Sequence, residues 1–373
     1  MKEQIIGARN ALIHSFYAGI MKPIFFRYDP ESIHDTMTRF GATLGKRSLT
    51  RAVTRSLFGY ADPRLAQTIL GISFKNPVGL AAGFDKNAEL TDILPSVGFG
   101  FIEVGSITGK PCEGNAKPRV WRLPKSKALV INYGLKNDGC DVIARRLKEK
   151  RFEAVIGTSV AMTNCAENVD IVAAIHDYVK AFRSLADIGD YFTINISCPN
   201  AQGGQPFVEA PALDRLLAEI DAIETSKPVF IKLSPDMSVP QVDALLEVAK
   251  KHRVHGIIVV NLTKKRDNPK ILDKDVPAAG GVSGKPVSGM SDGLLSYIYK
   301  KERDRFVLVG VGGIFTAEDA YKKIRLGASL VQLITGMIYE GPQLIGEINR
   351  GLAQLLARDG FKTISEARGI DVK

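Results

Sequence analysis

FVLVGVGGIFTAEDAYKKIRLGASLVQLITG, residues 306–336, contains two apolar runs separated by an amphipathic stretch. The runs 306–310 and 329–333 are continuously apolar rather than alternating, which predicts strands buried on both faces and hence a parallel sheet. Between them, 317–326 has helical spacing. Each strand ends in small residues: Gly310-Val311-Gly312-Gly313 after the first, Thr335-Gly336 after the second. The stretch reads as strand, loop, helix, strand, loop.

The same alternation extends upstream. Strands are predicted at 77–81 (PVGLA), 101–104 (FIEV), 154–158 (AVIGT), 191–196 (YFTINI), 228–233 (PVFIKL) and 256–261 (GIIVVN), with a helix at 239–252. Together with 306–310 and 329–333 they make eight strands in series. An α/β fold of the closed (β/α)8 type, a TIM barrel, accounts for them better than an open doubly wound sheet. The length of 373 residues suits a barrel with an appendage, since barrels use roughly 250. We divide the chain into an N-terminal helical extension, 1–60, and a barrel domain, 61–373.

In the extension, Asp29-Pro30-Glu31 predicts a helix start, with Asp as cap and Pro in the first turn. Ile33, Met37, Phe40 and Leu44 follow at helical spacing. Leu12, Ile13, Phe16, Tyr17, Ile20, Ile24, Phe25 and Phe26 form an earlier apolar set flanked by Arg9, Lys22 and Arg27. Residues 1–60 carry nine Lys/Arg against four Asp/Glu, half of the chain's net +10. Such helices either lie in a membrane interface or cap the barrel. His14, Ser15 and Lys22-Pro23 break the run 11–26, so it is no membrane span.

Composition excludes other classes. At 45% hydrophobic and 24% charged residues the chain is globular, not disordered or collagenous. Cys112, Cys140, Cys165 and Cys198 form no C-x-x-C pair, which argues against a zinc knuckle or a disulfide framework and for a reducing compartment. The five histidines (14, 34, 176, 252, 255) avoid the strand ends, so no metal site and no Ser-His-Asp triad is expected there.

In a barrel the site lies where strands end and βα loops begin. After the first strand comes Ala82-Gly83-Phe84-Asp85-Lys86, small residues that admit a flat ligand and a lysine beside it. After the fourth comes Asn195-Ile196-Ser197-Cys198-Pro199-Asn200, two carboxamides flanking a thiol. Carboxamides donate and accept together, and a thiol with an unperturbed pKa of ~8.5 needs little perturbation to act as a base near neutrality. Lys232 closes the fifth strand, as a Schiff-base lysine or a fixed cation against an anionic ring. Gly280-Gly281-Val282-Ser283-Gly284-Lys285, Gly310–Gly313 and Thr335-Gly336 read as phosphate cradles built from backbone N–H groups. A flat cofactor with one phosphate, a lysine at its ring and a base opposite suggest oxidation of a small amide heterocycle by flavin mononucleotide (FMN).

The stretches GLAAGFDKN, GNAKPRVWRLP, NISCPN, GGVSGKP and GVGGIFTAEDAYKKIRLGASLVQL are jointly specific, and through them the chain resembles the dihydroorotate dehydrogenase family along nearly its whole length, in its quinone-using class 2 form. The resemblance implies FMN-dependent oxidation of dihydroorotate to orotate in pyrimidine biosynthesis. N-terminal helices would form a tunnel for quinone, placing the protein peripherally at the cytoplasmic face of a membrane. It implies Cys198 as catalytic base. FMN would be held by Ala82, Gly83, Lys86, Ser106, Ser159, Asn195, Lys232, Val260, Gly284, Gly313, Ile334 and Thr335. Substrate would be held by Lys86, Asn132, Tyr133, Gly134, Leu135, Asn195, Asn200, Asn261 and Leu262. Arg122 would stand near the quinone.

Departures from the family pattern are specific. Cys198 stands where class 2 enzymes usually carry serine and class 1 enzymes cysteine. Ser159 replaces an asparagine, Val260 a threonine and Ile334 a tyrosine. Asn132 aligns one place late. These mixed motifs leave open a related pyrimidine oxidoreductase or a class 1-like enzyme with a soluble acceptor. Outside the family, a flavin-free lyase using Lys232 and a non-catalytic membrane-surface protein are the remaining readings.

Overall fold

The structure is a computed structural model that describes residues 2–372. Thirteen strands are present among them. A hairpin of β1 (Gln67–Ile69) and β2 (Ile72–Phe74) leads to β3 (Val78–Leu80) and β4 (Phe101–Ile107). Then come β5 (Val120–Leu123), β6 (Ala128–Ile131), β7 (Val155–Val160), β8 (Tyr191–Asn195), β9 (Val229–Lys232) and β10 (Gly256–Val259). The last are β11 (Gly281–Val282), β12 (Val307–Val311) and β13 (Leu330–Leu333). Eight of them close a parallel barrel in the order β3-β4-β7-β8-β9-β10-β12-β13, with Leu333 of β13 in register with Leu80 of β3. These are the eight strands read from the sequence. β10 stops at Val259, so Val260 and Asn261 belong to the loop beyond it, and β4 runs on to Ile107.

Burial explains the continuous apolar runs. The outward faces of the strands pack on the surrounding helices, and the inward faces fill the barrel. Phe101, Tyr191 and Phe230 crowd its lower interior. Glycine faces them where space runs out: a Cβ at Gly79 would lie 2.2 Å from the Phe101 ring, and one at Gly157 2.1 Å from Tyr191. The β1–β2 hairpin closes the bottom, its Ile69, Ile72 and Phe74 packing on this cluster. Its turn places both Leu70 (φ 51°) and Gly71 (φ 78°) in the left-handed region, as a tight hairpin turn requires.

Above the aromatic layer the interior turns polar. Glu103 is fully buried and accepts hydrogen bonds from Tyr191 Oη (3.1 Å), Thr193 Oγ1 (3.1 Å) and Gln332 Nε2 (2.9 Å). At the mouth, the antiparallel sheet β5-β6-β11 forms a rim.

The extension forms α1 (Lys2–Phe16), a π-helical turn (Tyr17–Met21), α2 (Lys22–Phe25), α3 (Pro30–Gly45) and α4 (Ser48–Phe58). Asp29 caps α3 as expected, its carboxylate accepting from Ser32 N–H at 2.8 Å. The extension is tied down by Tyr17 Oη donating to the Ile338 carbonyl (2.7 Å) and Lys22 Nζ to the Tyr339 carbonyl (3.1 Å). Its outer faces stay apolar: Leu12 and Leu49 are each 72% exposed. No helix among the described residues is long and apolar enough to cross a membrane.

Candidate active site

One cavity of about 510 Å³ runs from the barrel mouth to the underside of the N-terminal helices. Its two ends differ in chemistry.

At the barrel end, the loop after β3 is held by Asp85. This buried carboxylate accepts Glu89 N–H (2.8 Å) and Leu90 N–H (2.9 Å), and burial raises its pKa to about 6. Next to it Lys86 projects into the cavity, its ammonium 4.1 Å from the centroid of the Tyr133 ring. Burial lowers the Lys86 pKa to about 8; Asp35, Glu31 and Asp85 pull it back up and Lys136 works against them.

The loop after β8 carries Cys198 and Asn200. Burial pushes the Cys198 thiol up to about 11, against the Asn200 backbone N–H and the charges of Lys264 and Lys232. The sequence suggested a thiol poised near neutrality; the structure shifts it the other way, because desolvation of a thiolate outweighs the neighbouring cations. Asn200 donates Nδ2–H to the Ile131 carbonyl (2.9 Å), while its buried Oδ1 has no partner among the described residues. Asn261 donates to the Ser197 carbonyl (2.9 Å) and Asn195 donates to Ser106 Oγ (2.8 Å), so both face the cavity in fixed rotamers.

The barrel end fits a flat ring with an anionic tail. Lys232 is 4% exposed, and among the described residues its ammonium has no hydrogen-bonding partner. Burial lowers its pKa and the Glu103 carboxylate raises it again. A buried cation without a partner is costly unless a ligand completes the site. Gly284, Gly313 and Thr335 line the far corner, where Ser283 Oγ lies 2.8 Å from Thr335 Oγ1. The N–H groups of Gly284 and Gly313 find no acceptor among the described residues. Gly83 adopts φ +108° with nothing within 4 Å of a would-be Cβ, leaving room for a ring against the backbone.

The other end is apolar. Phe25, Ile33, Met37, Phe40 and Leu44 of the extension face Leu90, Ile93 and Leu94. Three polar groups interrupt it. Arg122 donates to the Tyr28 carbonyl (2.7 Å) and stacks over Phe26 at 4.6 Å. His34 Nε2 donates to the Phe84 carbonyl (2.9 Å), and burial lowers its pKa. Tyr17 is the third.

Ala82, Gly83, Lys86, Ser106, Tyr133, Gly134, Leu135, Asn195, Cys198, Asn200, Lys232, Val260, Asn261, Leu262, Gly284, Gly313, Ile334, Thr335 and Arg122 all line this cavity. Two expected residues do not. Ser159 lies one layer behind, its Oγ 2.8 Å from Ser106 Oγ. Asn132 turns away, its Oδ1 accepting from Asn115 Nδ2 at 3.1 Å. Tyr133, one place later and also expected at the site, does line the cavity. Sequence reasoning passed over His34, Tyr17 and Glu103. His34 had a readable signal, since it adjoins Ile33 and precedes Met37 and Gly41 on the same stripe of α3. Glu103, an acid inside an apolar strand, had one as well.

The dihydroorotate dehydrogenase family model matches residues 64–356. The chain is 40% identical over 352 residues to the dihydroorotate dehydrogenase (quinone) of Gloeobacter violaceus, covering 94% of this chain and 98% of the relative. It is 39% identical over 353 residues to the protein of the same description from Haloarcula marismortui, covering 95% and 99%. Among solved structures, DHODH from Eimeria tenella in complex with ferulenol superposes with a TM-score of 0.83 at 31% identity, covering 92% of this chain and 96% of that one.

Proposed function

The chain belongs to the dihydroorotate dehydrogenase family, and from that premise we propose how its residues divide the work. The reaction is the FMN-dependent oxidation of dihydroorotate to orotate in pyrimidine biosynthesis, with a quinone as electron acceptor. When bound, FMN supplies the redox chemistry: hydride acceptance from substrate C6 and return of two electrons to the quinone.

The Cys198 thiolate removes the proton from substrate C5, so that the C5–C6 double bond forms as the hydride leaves C6. Asn200, through its unpaired Oδ1, accepts a ring N–H of the substrate, and Asn195 and Asn261 complete the hydrogen-bonding set. Lys86 supplies a positive charge to the substrate and the ring. Lys232 holds a second positive charge beside the flavin ring and is kept in place by Glu103 below it. Gly284, Gly313 and Thr335 bind the phosphate. Ser159 acts through Ser106, and Asn132 holds Asn115 behind the substrate loop. Water is kept out by the rim of β5, β6 and β11 and by the apolar extension.

Quinone enters at the apolar end, where Arg122 has N–H groups left to donate to a carbonyl oxygen and His34 and Tyr17, whose donors are already held by backbone carbonyls, shape the wall. The exposed apolar faces of α1 and α4, together with the basic charge of residues 1–60, seat the protein peripherally on the cytoplasmic face of an anionic membrane.

The observation that carries this assignment is the single cavity joining the Cys198 loop to the N-terminal helices. Anaerobic mixing with dihydroorotate should bleach the flavin absorbance, and added quinone should restore it. Flavin that stays oxidised under dihydroorotate would remove the proposal.

A further inference from the structure

Glu31 belongs to the helical extension, yet its partners belong to the substrate end. Its side chain is buried in the first turn of α3. Arg119 forks onto it, Nε to Oε2 at 2.9 Å and Nη2 to Oε1 at 2.7 Å, and Lys136 Nζ reaches Oε1 at 3.2 Å. The same guanidinium donates Nη1–H to the carbonyls of Glu113 and Asn115, each at 2.8 Å. It also lies 5.4 Å from the Tyr133 centroid, and the Arg119 backbone carbonyl accepts Asn132 N–H at 2.7 Å.

Asn115 carries the contact onward. Its Nδ2 donates to the Asn132 carbonyl (3.2 Å) and to the Asn200 carbonyl (3.1 Å), and its N–H donates to the Tyr133 carbonyl (3.0 Å). Every segment that presents Tyr133 and Asn200 to the cavity is thus tied, within two residues, to one carboxylate on α3.

We propose that Glu31 is a positioning residue for the substrate half of the reaction: through Arg119 and Asn115 the N-terminal extension sets the loop that carries Tyr133 and the backbone of Asn200. The extension then serves both reactants and not the quinone alone. A bidentate fork fixes orientation as well as distance, so its acceptor must be a carboxylate in this place. Glutamine at position 31 offers one acceptor oxygen and leaves the buried guanidinium half-paired.

The inference rests on the dihydroorotate reading of the barrel end. Its test compares orotate binding, read from the flavin difference spectrum, in wild type, Glu31→Gln and Asn115→Ala holoenzyme. Asn115→Ala removes the side-chain links to Asn132 and Asn200 while keeping the backbone contacts and the buried ion pair, so it remains informative if Glu31→Gln folds poorly. Both variants should bind orotate roughly tenfold more weakly and show a raised KM for dihydroorotate with a dye acceptor, as loss of one or two hydrogen bonds predicts. Their KM for quinone and flavin content should match wild type. Orotate affinity unchanged within twofold in either folded variant, with wild type still bleached by dihydroorotate, overturns this inference alone. A wild type that neither bleaches nor binds orotate overturns it together with the reading beneath it.

Discussion

Cys198 offers the sharpest test, because burial sets its behaviour. Desolvation lifts the thiol to about 11. Only the thiolate can take the C5 proton. At pH 7, four units lower, roughly one molecule in 10⁴ carries it. Each unit of added alkalinity multiplies that fraction by about ten until the thiol's own pKa is reached. The rate constant for flavin reduction at saturating dihydroorotate should therefore climb with a slope near one in log rate against pH from 6 to about 8, above which Lys86 loses its charge. Saturation matters, since it removes any change in substrate affinity from the measurement. Cys198→Ala should keep its flavin, lose roughly 10²–10⁴-fold in rate and lose the slope as well. Anaerobic stopped-flow absorbance measures all three. A flat wild-type profile between pH 6 and 8, or an alanine variant that keeps the slope, would refute the assignment of Cys198 as the base.

Lys86 is a cation below about pH 8 and neutral above it, so orotate affinity in the wild type should fall as pH rises through that value; a spectral titration from pH 6.5 to 9.5 that shows constant affinity would exclude it from the substrate site. In Gly313→Ala the new Cβ would sit 2.3 Å from Ser288 Cβ at φ +76°, so the purified variant should retain well under one FMN per chain, and full occupancy would displace Gly313 from the phosphate end. Arg122→Ala should slow reoxidation by quinone at least tenfold while leaving bleaching by dihydroorotate within twofold of wild type, about the worth of one charge-assisted contact; equal loss in both half-reactions would place Arg122 elsewhere. Vesicles with anionic lipid should carry the wild type upward in a flotation gradient, and Leu12→Asp with Leu49→Asp should remain at the bottom; co-flotation of that variant would move the membrane contact away from α1 and α4.

What could be read from the sequence follows from how each element is buried. The barrel strands are covered on both faces, so each appears as an unbroken apolar run, and all eight were visible. The β1–β2 hairpin was not, because strands of three residues show no period, although Leu70-Gly71 marks its turn. β11 has only two residues and exists through its pairing with β6, which no local pattern announces. Site residues on strand ends were legible, because the barrel dictates where to look. Those whose role depends on a distant partner were not. Glu31 and Arg119 lie 88 residues apart, and the upward shift at Cys198 comes from enclosure by several loops. Asn132 was placed at the substrate by alignment with the family pattern, and a hydrogen bond from Asn115, invisible in the sequence, turns its side chain away from the cavity.

The burial of Cys198 raises the question of why a base should sit where ionisation is hardest. Moving a thiol from 9.0 to about 11 lowers its thiolate fraction at neutral pH by about a hundredfold. A more basic thiolate also takes a proton faster, and a mid-range Brønsted dependence returns roughly tenfold of that loss. The net penalty is about one order of magnitude. The same enclosure partly desolvates Lys86 and Lys232, which lowers both pKa values, and charges act more strongly on a reacting ring where water screens them less. Lys232, buried, and Lys86, partly exposed to the cavity, both line the site in which we place the negative charge that develops as the C5 proton leaves. Each lysine that stays charged is a stabilising group whose removal commonly costs about 10²–10³-fold in rate, against the tenfold loss at the base. A cavity open to solvent would ease ionisation of the thiol and weaken both cations together.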